Sequence, residues 1–179
     1  VQRLKSAVAA FMISLALPAA AQDGVDDLFT ALATAEGTDA ERIADKILTE
    51  WSQSGSPAMD VLLTRGRDAM EEGNLKAAVM HLSALVDHAP DFAEGYHARA
   101  TAYFQQRRLG LAMSDLEATL SLNPRHFGAL SGLGIILADL DQPDLALRAW
   151  REVVELYPGN TDAQAAIDRL ELLAEGQTL

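Results

Sequence analysis

Three prolines, Pro90, Pro124 and Pro158, stand 34 residues apart, and the residues ahead of each keep the same phase. Ala78, Ala112 and Ala146 precede them by twelve positions; Gly66, Ala100 and Gly134 precede them by twenty-four. A fixed period of this length implies a stack of like units, each too small to bury its own apolar face without its neighbour. Within each period, apolar residues recur twice at helical spacing with a break between, so a unit reads as two helices and a turn. In the first, Leu62, Gly66, Ala69 and Met70 carry helix A; Leu75, Ala78, Leu82, Leu85 and Val86 carry helix B, beyond a turn at Gly73-Asn74. Tyr96, Ala100 and Tyr103, then Leu109, Ala112, Leu116 and Leu120, do the same around Arg107-Arg108. Leu130, Leu133, Gly134 and Leu137, then Ala146, Trp150, Val153 and Val154, do so around Asp141-Gln142-Pro143. The small residues let two helix backbones approach, and each closing proline ends a helix B.

The flanks read differently. Residues 1–21 have the form of a secretory signal: Arg3 and Lys5, an apolar run over residues 7–17, then Pro18 and Ala19-Ala20-Ala21 before an expected mature start at Gln22. The run is shorter than the roughly 20 residues that span a bilayer, so no stable membrane anchor is expected after cleavage. Val1 in place of methionine suggests an alternative start codon, hence a bacterial source and a soluble, periplasmic protein. Residues 22–58 read as a helical pair. Val25, Leu28, Phe29 and Leu32 share one helix face, which Gly37 stops; Thr38 to Glu41 has the form of a capping box. A second helix carries Ala40, Ile43, Ala44, Ile47, Leu48 and Trp51, and Ser56-Pro57 opens the next with Ser56 as N-cap. Ala44 and Leu48 fall 34 positions before Ala78 and Leu82, so the pair is expected to be a degenerate repeat that caps the array. After Pro158, Ala163, Ala166, Ile167 and Leu170 give one apolar face to a helix that is otherwise polar.

The stretch resembles an array of tetratricopeptide repeats (TPR). The resemblance rests on Leu62, Tyr96 and Leu130, on the small residue four positions after each, on Ala78, Ala112 and Ala146, and on the closing prolines. It covers residues 59–160 as three units, 59–92, 93–126 and 127–160, and likens residues 161–179 to the C-terminal solvating helix of that family. It implies an all-α fold: a right-handed α-solenoid of helix-turn-helix units with an N-terminal helical pair and a C-terminal capping helix. Two departures stand out. Arg65 and Arg99 replace the usual leucine, so their stems are expected to pack while their heads reach water or a carboxylate. Arg107 and Asp141 replace the usual turn glycine.

Composition excludes several functions. The 179 residues carry a formal charge of −12, and removal of the signal leaves 12 Lys+Arg against 26 Asp+Glu, or −14. That argues against nucleic acid, which needs a clustered basic face. Without cysteine there is no disulfide or thiolate chemistry. His81, His88, His97 and His126 show no metal-ligand spacing and are expected at solvated or edge positions; no phosphate loop or nucleophilic triad is present. The chain is therefore expected to be no enzyme and to use neither cofactor nor metal. What remains is a surface. The resemblance implies a concave groove lined by Leu63, Arg67, Met70 and Glu71, by Glu94, His97, Thr101, Phe104 and Gln105, and by Ser131, Ile135, Ala138 and Asp139. Apolar anchors among polar contacts suit an extended or helical peptide. The same residues also suit packing against a neighbouring helix, including the N-terminal pair folded back. The paired Lys and Asn of the carboxylate-clamp members of the family are missing, so recognition of a peptide C-terminus is not supported. The expected role is a scaffold or adaptor for a protein or peptide partner in the periplasm. The alternatives are an accessory subunit of an envelope assembly or cytochrome maturation system, and a self-associating array.

Overall fold

Local chemistry sets nine helices among the described residues, and the 34-residue phase sets how six of them stack. The computed structural model describes residues 19–177. Residues 1–18 of the expected signal lie outside them. The array comprises α3 (Pro57–Glu71), α4 (Leu75–His88), α5 (Ala93–Gln105), α6 (Leu109–Leu122), α7 (Phe127–Asp139) and α8 (Pro143–Leu156). Each A helix (α3, α5, α7) pairs with the B helix that follows. It is preceded by α1 (Ala19–Leu32) and α2 (Gly37–Trp51) and closed by α9 (Thr161–Gln177), giving an all-α solenoid. No helix among the described residues is long and apolar enough to cross a membrane.

The turns between A and B helices repeat one backbone conformation. Gly73 has φ +74°, and Arg107 and Asp141, one and two periods on, have φ +58° and +57°. The left-handed region is free for glycine and strained for a side chain, so the two later turns hold a geometry that the first adopts without cost. Asn74 then caps α4 by accepting from the Ala77 amide. The small residues of the period sit where two helices touch. A β-carbon on Gly66 would lie 2.5 Å from Leu82, and one on Gly134 would lie 2.8 Å from the Trp150 ring. Ala78, Ala112 and Ala146 are fully buried. Arg99 behaves as its position implied: it forms a fork with Asp115 (2.7 and 2.8 Å) and lies near the rings of Tyr96 and Tyr103.

The N-terminal pair departs from the in-phase expectation. The first repeat closes its core with its own residues and α5: Leu63, Ala69, Ala78, Leu82 and Leu85 with Ala98 and Ala102. The buried residues of α1 and α2 (Val25, Phe29, Leu32, Ala40, Ala44 and Ile47) join instead a core with Phe127, Leu130, Trp150, Val153 and Tyr157 of the third repeat and Ala163, Ala166 and Leu170 of α9. The pair is thus folded back along the array rather than stacked in front of it. The connection explains the redirection. Gly55 takes φ +76°, and both the Ser54 amide and hydroxyl donate to Asp60, at 2.9 and 2.6 Å. Two cap assignments change with it. Gly37 opens α2 rather than stopping α1, and the N-cap is Glu36 without a side-chain bond, so Thr38 lies inside the helix. Ser56 holds the N-cap position of α3, but its side chain makes no cap hydrogen bond.

Packing at Gly134 and openness at Gly110 give a paired test. Gly134→Ala drives a β-carbon into Trp150 and is expected to cost about 1–3 kcal/mol. Gly110, in α6, has nothing within 4 Å of an added β-carbon, so Gly110→Ala is expected to stabilise by about 0.4–1 kcal/mol. Urea unfolding of both variants followed by circular dichroism checks the opposite signs.

Candidate functional site: a buried carboxylate and an apolar cleft on the A helices

Glu94 lies in the first turn of α5, where a carboxylate is favoured by the helix dipole, and is only 4% exposed. One of its oxygens is held by Arg67 of α3 and lies 3.4 Å from His97 Nδ1; the other accepts from His126 Nε2 at 2.9 Å. His126 is fully buried and caps α7, its Nδ1 accepting from the Ala129 amide at 3.1 Å. This corrects the expectation of a solvated or edge position. That bond fixes the tautomer: Nδ1 is bare, so Nε2 carries the hydrogen that goes to Glu94. Gly128 occupies the register position of Glu94 one repeat on, and its missing side chain leaves room for the His97 and His126 rings, 4.4 Å apart. Trp51, at the end of α2, stacks on His126 at 4.7 Å and approaches Phe127 at 5.4 Å; Ser52 accepts from Arg67 at 3.1 Å. Phe29 adds a contact to Phe127, and Arg125 pairs with Asp26 while lying over the Phe29 ring. The folded-back pair therefore covers the N-terminal end of α7 and reaches the Arg67 that holds Glu94.

Burial alone would raise the Glu94 carboxyl, but hydrogen bonds from His126 and His97 outweigh it and hold Glu94 well below the usual carboxylate range. Burial pushes His126 down from its ordinary 6.5, against the raising effect of Glu94. Glu94, His97 and His126 bring three ligand atoms within 4.8 Å of one another. Their chemistry does not suit a cation. A metal on His126 Nε2 would move the ring hydrogen to Nδ1, which faces a backbone N–H donor, and Arg67 already neutralises Glu94. With Arg67, the trio forms a hydrogen-bonded clamp across three A helices.

Beyond the clamp the concave face opens. A cleft of about 200 Å³ lies between α5 and α7, walled by His97, Thr101, Phe104, Ser131 and Ile135. Ala100, Leu116, Gly128, Gly132 and Ile136 complete it, and most of its accessible lining is apolar. A second, more polar cleft of about 440 Å³ shares Ser131 and Ile135 and runs to Asn160, Asp162 and Arg169 beside α9.

The groove residues named from the sequence divide accordingly. His97, Thr101, Phe104, Ser131 and Ile135 share the first cleft. Arg67 and Glu94 belong to the clamp. Leu63 is a core residue, covered by the first repeat and the alanines of α5, and Met70 packs against the same core. Glu71 and Gln105 are exposed, and Asp139 is exposed and paired with Arg107 at 2.9 Å. Sequence reasoning missed Trp51, Gly128 and His126 as site residues. Only the match of Gly128 to the Glu94 position one period earlier signalled a change there.

The sequence profile described as tetratricopeptide repeat matches residues 63–124 and 97–161. The chain belongs to the tetratricopeptide repeat family. A TPR repeat-containing protein of Rhizobium etli is 37% identical over 156 residues, which cover 86% of this chain and 76% of that protein. Small glutamine-rich tetratricopeptide repeat-containing protein 2 of Saccharomyces cerevisiae is 25% identical over 122 residues, 68% of this chain but only 35% of its own length. Among solved structures, the first TPR domain of Spaghetti (RPAP3), bound to an HSP90 peptide, superposes with a TM-score of 0.63 at 24% identity. That match covers 65% of this chain and 93% of that one, and it shows the shared TPR fold.

The clamp predicts a pH response. Because the folded pKa of His126 lies below its unfolded value, its contribution to TPR stability is complete above about pH 6.5 and is lost as pH falls from there. Unfolding in urea at pH 7.5 and pH 5.5 is expected to show that loss, and His126→Asn, which retains a capping oxygen, is expected to flatten it. Glu94→Ala, which orphans the donors of Arg67 and His126, is expected to cost about 2–3 kcal/mol at neutral pH.

Proposed function

We propose that this TPR protein is an exported scaffold that seats a peptide segment of another envelope protein in the cleft between α5 and α7. The observation that carries the reading is the cleft itself: an apolar recess walled by polar and aromatic side chains on the concave helices. Such a recess suits one anchoring side chain, while Thr101, Ser131 and His97 offer hydrogen bonds that fix register. The peptide complex of the RPAP3 domain supports the same use of a TPR fold. Export rests on the charged, apolar and small-residue segments of residues 1–21. Every packing side chain named on α1, from Val25 onward, lies beyond the expected cut.

Phe104 and Ile135 make the lips of the cleft, and Ile135 is 42% exposed. A photocrosslinking amino acid at Ile135 is expected to capture a discrete set of periplasmic proteins, and Phe104→Asp on the same chain is expected to abolish the adducts. Adducts unchanged by Phe104→Asp would overturn the assignment of the cleft.

A further inference from the structure

The charge placed around the cleft constrains what enters it. The A helices share one register, in which Glu71, Gln105 and Asp139 fall at the same position, one per repeat, all exposed at or near the helix C-termini. A helix C-terminus carries the negative end of the macrodipole and attracts cations. The opposite end of α7, which would attract an anion, is covered by Trp51, and Glu94 already occupies that position in α5.

The cations near the face are committed. No lysine occurs in α3, α5 or α7. Arg67 is held by Glu94, Arg99 is turned to Asp115 of α6, and Arg107 is held on Asp139. Arg65 shares the outward register of Arg99. The adjoining cleft is lined by one charge of each sign, Arg169 and Asp162. The chain as a whole is at −12, and its field favours approach of a cation.

We infer that the occupant of this cleft is a cationic peptide segment with one large aliphatic or aromatic anchor, and that acidic peptides like the HSP90 segment held by RPAP3 are rejected. This rests on the cleft being a peptide site. The anchor fills the recess over Ala100, Leu116 and Gly132, and Lys or Arg beside it meets Glu71, the Asp139 oxygen that Arg107 leaves free, and the helix C-termini. Selection comes from both sides: attraction for the basic partner and repulsion of an acidic one.

The test uses the chain lacking residues 1–21 and fluorescein-labelled peptides read by anisotropy. The probes are a short Gly/Ser peptide with one Leu flanked by Lys, its twin with Glu for Lys, its twin with Ser for Leu, and the peptide SRMEEVD. The Lys/Leu peptide is expected to bind at least about tenfold more tightly than each of the other three, and more weakly in higher salt. Phe104→Ala and, independently, Ile135→Ser are expected to remove the preference for Leu over Ser. Glu71→Lys with Asp139→Lys is expected to remove the preference for Lys over Glu; circular dichroism confirms that each variant is folded. Equal or tighter binding of the Glu twin or of SRMEEVD would overturn the charge assignment while leaving the cleft a peptide site. Binding of the Lys/Leu peptide unaffected by the Ser twin or by both cleft variants would reduce it to bulk attraction and overturn the inference. Failure of every probe together with unchanged crosslinks in Phe104→Asp would remove the cleft assignment itself. A concentration-dependent dimer in light scattering, dissolved by Ile135→Ser, would make a second copy the occupant and also overturn it.

Discussion

Glu94 holds groups from three A helices at once: Arg67 of α3, His97 of its own α5, and His126 at the start of α7. Taking a carboxylate out of water is expensive, and the expense is tolerable only when its oxygens are fully met by donors. That requirement propagates outward. His126 can donate to Glu94 only as the tautomer that also caps α7, and glycine at position 128 spares the two imidazoles a β-carbon that would lie 3.3 Å from His97. Trp51 stacks on the ring so held, 4.7 Å between centroids. Satisfying one buried charge thus ties three A helices together beside the cleft.

The periodic part of this architecture was legible in the residues. Gly66, Ala100 and Gly134 mark close helix contacts, the prolines mark the ends of helices B, and Arg107 and Asp141 mark turns that keep a glycine's conformation. Arg99 found the carboxylate its position implied. These features are local, or repeat at a fixed interval, so a single sequence displays them. The placement of α1 and α2 was not legible from phase. Ala44 and Leu48 share the repeat's register, yet what decides their position is the fit of Phe29 and Trp51 to Phe127, and a turn at Ser54-Gly55 that redirects the chain. A contact between residues nearly one hundred positions apart, such as Arg125 with Asp26, leaves no periodic trace.

The candidate site was half legible for the same reason. Five of the named groove residues meet in one cleft because register alone puts them on facing A helices. Leu63 has the same register as His97 and Ser131 but is buried, because the alanines of α5 let that helix settle onto it. His126 read as a solvated or edge histidine, since nothing beside it in sequence reveals that Glu94 and Trp51 close over it.

The folded-back pair has a mechanical meaning. A solenoid whose units touch only their neighbours bends like a spring, and its ends can come apart one unit at a time. Here Ser52 reaches Arg67 in the first repeat, Trp51 and Phe29 reach Phe127 in the third, and Ala40 lies against Gly159 beside α9. The pair is a chord drawn across the arc of the array. It braces the curvature against bending. It also turns an open stack into a closed mechanical loop, in which neither end can peel away without releasing the other.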